Sequence, residues 1–191
     1  MDLKKTAEAL NKNGFEAFVT DTEAQAVEKA FSLIPEGSSV GFGGSMTLEE
    51  TGFIKKLRSS TAYKVLDRDS AKDSAERVQI MRQCLTADFF VTSFNGISET
   101  GVAVNIDGNG NRVAAITFGP KNVIVLAGKN KITSTEEEAL LRARNTAAPK
   151  NAVRFGKKPE EADSLCNIIQ TLRRGGNGRI KVILFNEEAG Y

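Results

Sequence analysis

The segment Ala87–Lys131, ADFFVTSFNGISETGVAVNIDGNGNRVAAITFGPKNVIVLAGKNK, decides how this chain is read. Its two apolar runs, Phe89–Val91 and Val123–Leu126, have the continuous hydrophobicity of buried strands. Between them lie residues dense in Asn, Asp, Glu, Ser and Gly. Connections between elements are usually about 2–6 residues long, so this interval is far more than a link. A short helix is predicted over Asn111–Phe118. The polar residues ahead of it are where binding or chemistry is expected.

Outward from that segment, the spacing of apolar residues predicts helices over Leu3–Leu10, Thr22–Leu33, Met46–Leu57, Ser70–Leu85 and Glu136–Asn145. Ser134 or Thr135 would cap the last of these, and Pro149 would end it. Strands are predicted at Glu16–Val19, Ser39–Phe42, Tyr63–Leu66 and Ile180–Phe185. The segment Phe155–Asp163 reads as charged and loose. Strands alternating with helices imply an α/β fold with a mainly parallel sheet. The 191 residues suit one domain of about 100–200 residues, spanning 1–191.

A net charge of +2 and the lack of a dense Lys/Arg block speak against a nucleic-acid partner. The charged start, MDLKKTAEALNKNGF, has no apolar core of a signal peptide, and no window suits a membrane span. The chain is therefore expected to be cytosolic, with no membrane partner. Cys84 and Cys166 form no ligand motif. There is no histidine, which excludes a Ser-His-Asp triad and any zinc site needing imidazole. Acid–base work would fall to Asp, Glu, Lys, Tyr or Cys. The sequence specifies no cofactor and leaves homo-oligomer formation open.

Gly41-Phe42-Gly43-Gly44-Ser45-Met46-Thr47 joins a strand to a helix. Such a turn lets a backbone approach a ligand, and the helix start offers free N–H groups to an anion. Gly43, Gly44, Ser45 and Thr47 are the expected binding residues; the simpler reading is a tight turn with Ser45 or Thr47 as its cap. No lysine follows to make a Walker A loop, and the third glycine of a dinucleotide fingerprint is missing, although Asp67 could stand as a ribose-binding acid. In Asn95–Gly101, Glu99 is a candidate nucleophile or base. Asp107 is a second catalytic candidate, and Asn95 and Asn105 would contact the ligand. The simpler reading is a hairpin with a solvated Glu99. Lys129 and Lys131, past the Val123–Leu126 strand, would offer cations to an anion, with Lys129 taken as the binding residue.

These motifs resemble the lactate-utilisation (LUD) domain family. The resemblance spans nearly the whole chain and is carried by GFGGSMTLEETG at 41–52, by 87–132, by RARNTAAPKNA at 142–152 and by GRIKVILFNEEAGY at 178–191. It implies a three-layer α/β/α sandwich similar to the ribose-5-phosphate isomerase, glucosamine-6-phosphate deaminase and CoA-transferase superfamily. In those relatives a glycine turn binds phosphate or sugar and a later polar loop carries an acidic catalytic residue. Many family members carry a cysteine cluster before the last strand. Here that region reads RFGKKPEEADSLCNII and keeps only Cys166, so no metal is expected there. The resemblance implies a part in lactate or organic-acid utilisation, binding a small anionic metabolite beside iron–sulfur partner proteins. Direct lactate oxidation by this chain alone is not expected. The alternatives are an isomerase or CoA-transferase-like enzyme using Glu99, and a non-catalytic regulatory or assembly subunit.

Overall fold

The computed structural model describes residues 1–191. Its strands, in chain order, are β1 (Glu16–Thr20), β2 (Ser39–Phe42), β3 (Lys64–Leu66), β4 (Phe89–Thr92), β5 (Gly96–Ser98), β6 (Ala103–Asp107), β7 (Asn122–Gly128), β8 (Ile132–Thr133), β9 (Ile168–Leu172) and β10 (Ile180–Phe185). The helices are α1 (Leu3–Lys12), α2 (Glu23–Ser32), α3 (Met46–Glu50), α4 (Phe53–Ser59), α5 (Ser74–Gln83), α6 (Asn111–Phe118), α7 (Glu136–Arg142) and α8 (Ala148–Arg154). Six strands form a central sheet in the order β1-β10-β7-β4-β2-β3, and every pairing in it is parallel.

Alternation along β7 shows how the layers form. Val123 and Val125 face a core with Leu10, Phe90, Ile116 and Leu184, while Ile124 and Leu126 face a core with Val27, Leu48, Phe53 and Ile183. All four β7 side chains are fully buried, each stabilising the fold by about 1.5–3 kcal/mol. Helices α1 and α6 cover the first face and α2, α3 and α4 the second. The result is the expected helix–sheet–helix sandwich around a parallel sheet.

A second sheet, in the order β8-β5-β6-β9, lies where a polar loop was the leading expectation. Strands β5 and β6 form an antiparallel hairpin, and β6 also pairs antiparallel with β9. Asn105 and Ser98 are fully buried within it. Their polar groups are satisfied internally: Asn105 Nδ2 donates to Gln170 Oε1 at 3.0 Å, and Val102 N donates to Ser98 Oγ at 3.1 Å. The β5 backbone lies so close to α7 that a side chain on Gly96 would sit 2.6 Å from the Ala139 carbonyl oxygen.

Three helix boundaries depart from expectation. The stretch after Ser45 is two helices, broken where Gly52 takes a φ of +73°. The helix predicted from Ser70 starts at Ser74, because the Asp73 carboxylate accepts from Glu76 N at 2.8 Å and caps it there. No residue of α5 is fully buried, and Val78 is 45% exposed. Pro149 does not end its helix. Residues Ala143–Ala147 form a π-helical turn, with Ala148 N donating to Ala143 O, and α8 continues from it with Pro149 in its first turn. Proline has no N–H to donate and its ring crowds the carbonyl four residues back; the wider turn absorbs both constraints. No helix is long and apolar enough to cross a membrane.

Candidate functional site

The carboxyl ends of parallel strands are where α/β sheets bind ligands, because successive loops diverge there and leave a crevice. This chain has a cavity of about 360 Å³ at that edge. Its floor comes from residues just past five strands: Gly44–Met46 after β2, Arg68 after β3, Ser93–Asn95 after β4, Lys131 after β7 and Tyr191 beyond β10. The end of β6 adds Asp107, and the start of α6 adds Asn111 and Arg112. The π-helical turn and α8 supply a wall that includes Ala147, Asn151 and Arg154. Single π-turns inside helices occur frequently at functional sites.

Five cationic side chains line this space: Arg68, Arg112, Lys131, Arg154 and Lys157. The single side-chain carboxylate is Asp107, and it is engaged. Its Oδ2 accepts from Arg112 N at 3.0 Å and Val113 N at 3.1 Å, capping the first turn of α6. No further side-chain carboxylate lines the cavity to face these cations, although Lys131 Nζ donates to Tyr191 O at 2.7 Å. Arg112 donates to Ser93 O at 3.1 Å, Asn95 Oδ1 at 2.8 Å, Asn105 Oδ1 at 3.4 Å and Ile106 O, all uncharged acceptors. Arg68 has a buried Nε with no partner, and its nearest carboxylate oxygen, on Asp69, is 3.8 Å away. Burial pushes the Arg68, Arg112 and Lys131 cations down from their ordinary ranges. An anion in the cavity would relieve that cost.

The glycine turn contributes in two ways. Ser45 caps α3, its Oγ accepting from Leu48 N at 3.4 Å, and also lines the cavity. Gly44 gives room to arginines: a Cβ there would lie 2.2 Å from Arg68 Nη2 and 3.7 Å from Arg154 Nη1. Gly44→Ala should therefore displace the Arg68 guanidinium while leaving the fold almost untouched, since a flexible side-chain end gives way. A hydrogen bond to a charged group is worth about 1.5–3 kcal/mol. Phosphate binding followed by calorimetry should weaken by about tenfold or more, with little change in the urea midpoint.

The structure brings together Gly44, Ser45, Asn95 and Asp107 at the cavity. Gly43 and Asn105 lie one layer behind. Gly43 leaves room for Arg112, whose Cδ would be 3.3 Å from a Cβ there, and Asn105 holds Arg112 directly. Thr47 is buried and donates to Ala189 O at 3.1 Å, so it fastens the last residues of the chain rather than lining the cavity. Lys129 is exposed and does not line the cavity, whereas Lys131, two residues on, does. Glu99 stands in the β5–β6 turn, outside the cavity lining. Its carboxylate accepts from Asp2 N at 2.8 Å and from Lys5 Nζ at 3.4 Å. The Asp2 N–H, then Lys5, hold it below the ordinary glutamate range. Asp67, considered above as a ribose-binding acid, pairs with Arg58 at 2.7 Å.

Arg68, Arg112, Arg154 and Tyr191 were not singled out by sequence. Arg68 and Arg112 could have been reached by one rule, since each follows the carboxyl end of a strand.

The fold and site together define an α/β protein with a cation-lined cavity at the edge of a parallel sheet. The LUD domain model matches residues 3–185, and the chain belongs to the LUD domain family. At the family level this connects it with lactate utilisation. It is similar to a DUF162 family protein from Deinococcus radiodurans, solved as a crystal structure at 1.70 Å. That pair has 16% identity and a TM-score of 0.58, covering 96% of this chain and 95% of the other. The eIF2B delta crystal structure from Chaetomium thermophilum gives a TM-score of 0.41 at 16% identity, over 62% of this chain and 50% of that one. No curated protein sequence matches the chain.

Proposed function

We propose that this protein binds a small organic anion, carrying a carboxylate or phosphate, in the cavity at the sheet edge, as a component or accessory of organic-acid utilisation. The observation that carries the reading is the side-chain charge imbalance: five cationic side chains line the cavity against one side-chain carboxylate already bonded to two main-chain N–H groups. Unpaired charge in a partly desolvated site is costly, so a site built this way is most stable when occupied by an anion. The cavity's size suits a metabolite rather than a polymer. Any redox step would belong to iron–sulfur partner proteins, because the chain carries no redox motif of its own.

A thermal-shift panel of lactate, pyruvate, sugar phosphates, CoA thioesters and inorganic phosphate tests this. A ligand at 100 times its dissociation constant should stabilise the protein by about 2.7 kcal/mol. Arg154→Glu should abolish the shift; Arg154 is exposed and in no ion pair, so the fold should tolerate the reversal. Glu99→Gln should leave the shift unchanged, because Glu99 lies outside the cavity lining. No shift with any anion would defeat the reading. Loss of binding or turnover on Glu99→Gln would instead favour an enzyme built around that carboxylate.

A further inference from the structure

Four of the residues lining the cavity are exposed, and they mark its mouth: Gly44, Asn109, Arg154 and Phe155. Its buried end lies at Ser93, Phe94 and Lys131. Phe155 is the one apolar side chain at the mouth and is 59% exposed, whereas Phe94 at the other end is fully buried. A phenyl ring left mostly in water forfeits much of the stabilisation that burial would give it.

The backbone fixes the place of that ring. Helix α8 ends at a left-handed Gly156, with a φ of +72°, and closes with two bonds to one carbonyl: Ala152 O accepts from Phe155 N at 3.0 Å and from Lys157 N at 2.9 Å. A helix end of this kind satisfies free carbonyls and turns the chain sharply. Ala152 is fully buried and packs with Ala148 and Ala162, which seats α8 on the 3-10 helix Pro159–Leu165. Lys157 Nζ donates to Ser164 Oγ at 2.9 Å across the same junction. Phe155 thus stands on a packed support between Arg154 and Lys157. Both of these also line the cavity, and neither pairs with a carboxylate.

An exposed aromatic ring flanked by two such cations suits a ligand with matching parts. The cations take an anionic group, and the phenyl face offers a stacking surface to a flat ring. At about 360 Å³ the cavity is near the small end of the roughly 300–1,000 Å³ usual for ligand sites, which suits one ring with its charged group. We propose that the ligand's anionic group is joined to a planar aromatic or heteroaromatic ring, as in a nucleoside monophosphate or an aryl 2-oxo acid, and that Phe155 stacks on this ring and selects for it. The inference rests on the anion-binding reading above and narrows it from small organic anions in general to ring-bearing ones. Arg68 and Arg154 hold the charge beside Gly44, where both guanidinium groups approach the backbone. Phe155, the next residue after Arg154, covers the ring at the mouth.

Calorimetry on the whole protein tests this with two pairs of ligands: AMP against ribose 5-phosphate, and phenylpyruvate against pyruvate. Each pair shares an anionic group and differs by the aromatic ring. The aromatic member of at least one pair should bind about 5- to 150-fold tighter, the range spanned by base–aromatic stacking. The pair that shows the gain tells whether phosphate or carboxylate is the anchoring group. Phe155→Ala should erase the gain and bring the two members of that pair together. The chain has no tryptophan, so Phe155→Trp installs a single reporter. The aromatic ligand should quench its fluorescence, and the partner without the aromatic ring should not. Phe155 is exposed, so both variants should keep the urea midpoint of the wild type. Equal affinities within both pairs, with binding retained, overturn the ring and leave the anion site standing. A preference for the aromatic ligand that survives Phe155→Ala overturns the role of Phe155. No binding of any of the four ligands or of inorganic phosphate overturns the two readings together.

Discussion

Arg112→Met is expected to destabilise the protein by about 3–5 kcal/mol, a large part of the roughly 5–15 kcal/mol that holds a typical domain folded. The guanidinium bonds four acceptors at once: Ser93 O, Asn95 Oδ1, Asn105 Oδ1 and Ile106 O. Ser93, Asn105 and Ile106 are buried. Those acceptors come from the end of β4, from the turn after it and from β6, so one side chain ties the main sheet to the second sheet. Methionine keeps the bulk but donates nothing, and each buried acceptor left unpaired costs about 1–3 kcal/mol. Water entering from the cavity side will satisfy part of this, which places the total below the simple sum. Arg112→Lys should recover only a fraction, since a single ammonium cannot reproduce the planar fork. Urea denaturation measures both; a loss under 1 kcal/mol for Arg112→Met would show that the guanidinium serves the ligand and not the fold.

Lys131→Met should show its effect as a pH dependence. With no ligand bound, it removes the cost of a buried cation but leaves the Tyr191 oxygen that Lys131 bonds at 2.7 Å unpaired, so its stability relative to the wild type should be highest at mildly acidic pH, where the folded lysine is charged. The sign with pH follows from the direction of the shift. Lys131 has its folded-state pKa below its unfolded value of about 10.4. Below the folded pKa both states are charged and the folded state carries the whole penalty. Between the two values the unfolded state binds more protons, so stability rises with pH. Above about 10.4 neither state is charged and the penalty is gone. The advantage of the methionine variant should therefore shrink as pH rises through that window. Denaturation of both proteins at a series of pH values from 6 to about 10.5 gives the difference directly and cancels groups common to both. A difference that stays constant across the series would mean that Lys131 is not perturbed by folding. Saturating phosphate should reduce the difference at low pH, because a bound anion favours the charged lysine.

Much of the frame was legible in the sequence for simple physical reasons. The strands at Ser39–Phe42, Phe89–Thr92, Asn122–Gly128 and Ile180–Phe185 are buried on both sides over most of their length, so each carries an apolar run, such as Phe89–Val91, Val123–Ala127 and Val182–Phe185. Helix α6 matches its predicted span, Asn111–Phe118. The second sheet was obscured because its strands mix Gly, Ser, Asn and Asp with short apolar stretches, and a local pattern cannot show that Asn105 is satisfied by Gln170 on a distant strand. Strand β9, with Ile168 and Ile169 exposed, carries no clear burial pattern at all.

The sequence by itself determined the alternation of strand and helix, the exclusion of histidine chemistry and the glycine turn as one wall of a site. These depend on composition and on contacts between residues close in the chain. Only the tertiary structure decided which charges meet. It separates Lys129 from Lys131, because the 3-10 turn leaves one in solvent and places the other against the cavity. It sends Glu99 to the start of α1 and brings Arg68, Arg112 and Arg154 to the glycine turn and its surroundings. Parallel strands gather their carboxyl ends on one edge, so residues far apart in sequence share one small cavity, and the electrostatics of that cavity is a property of the assembly alone.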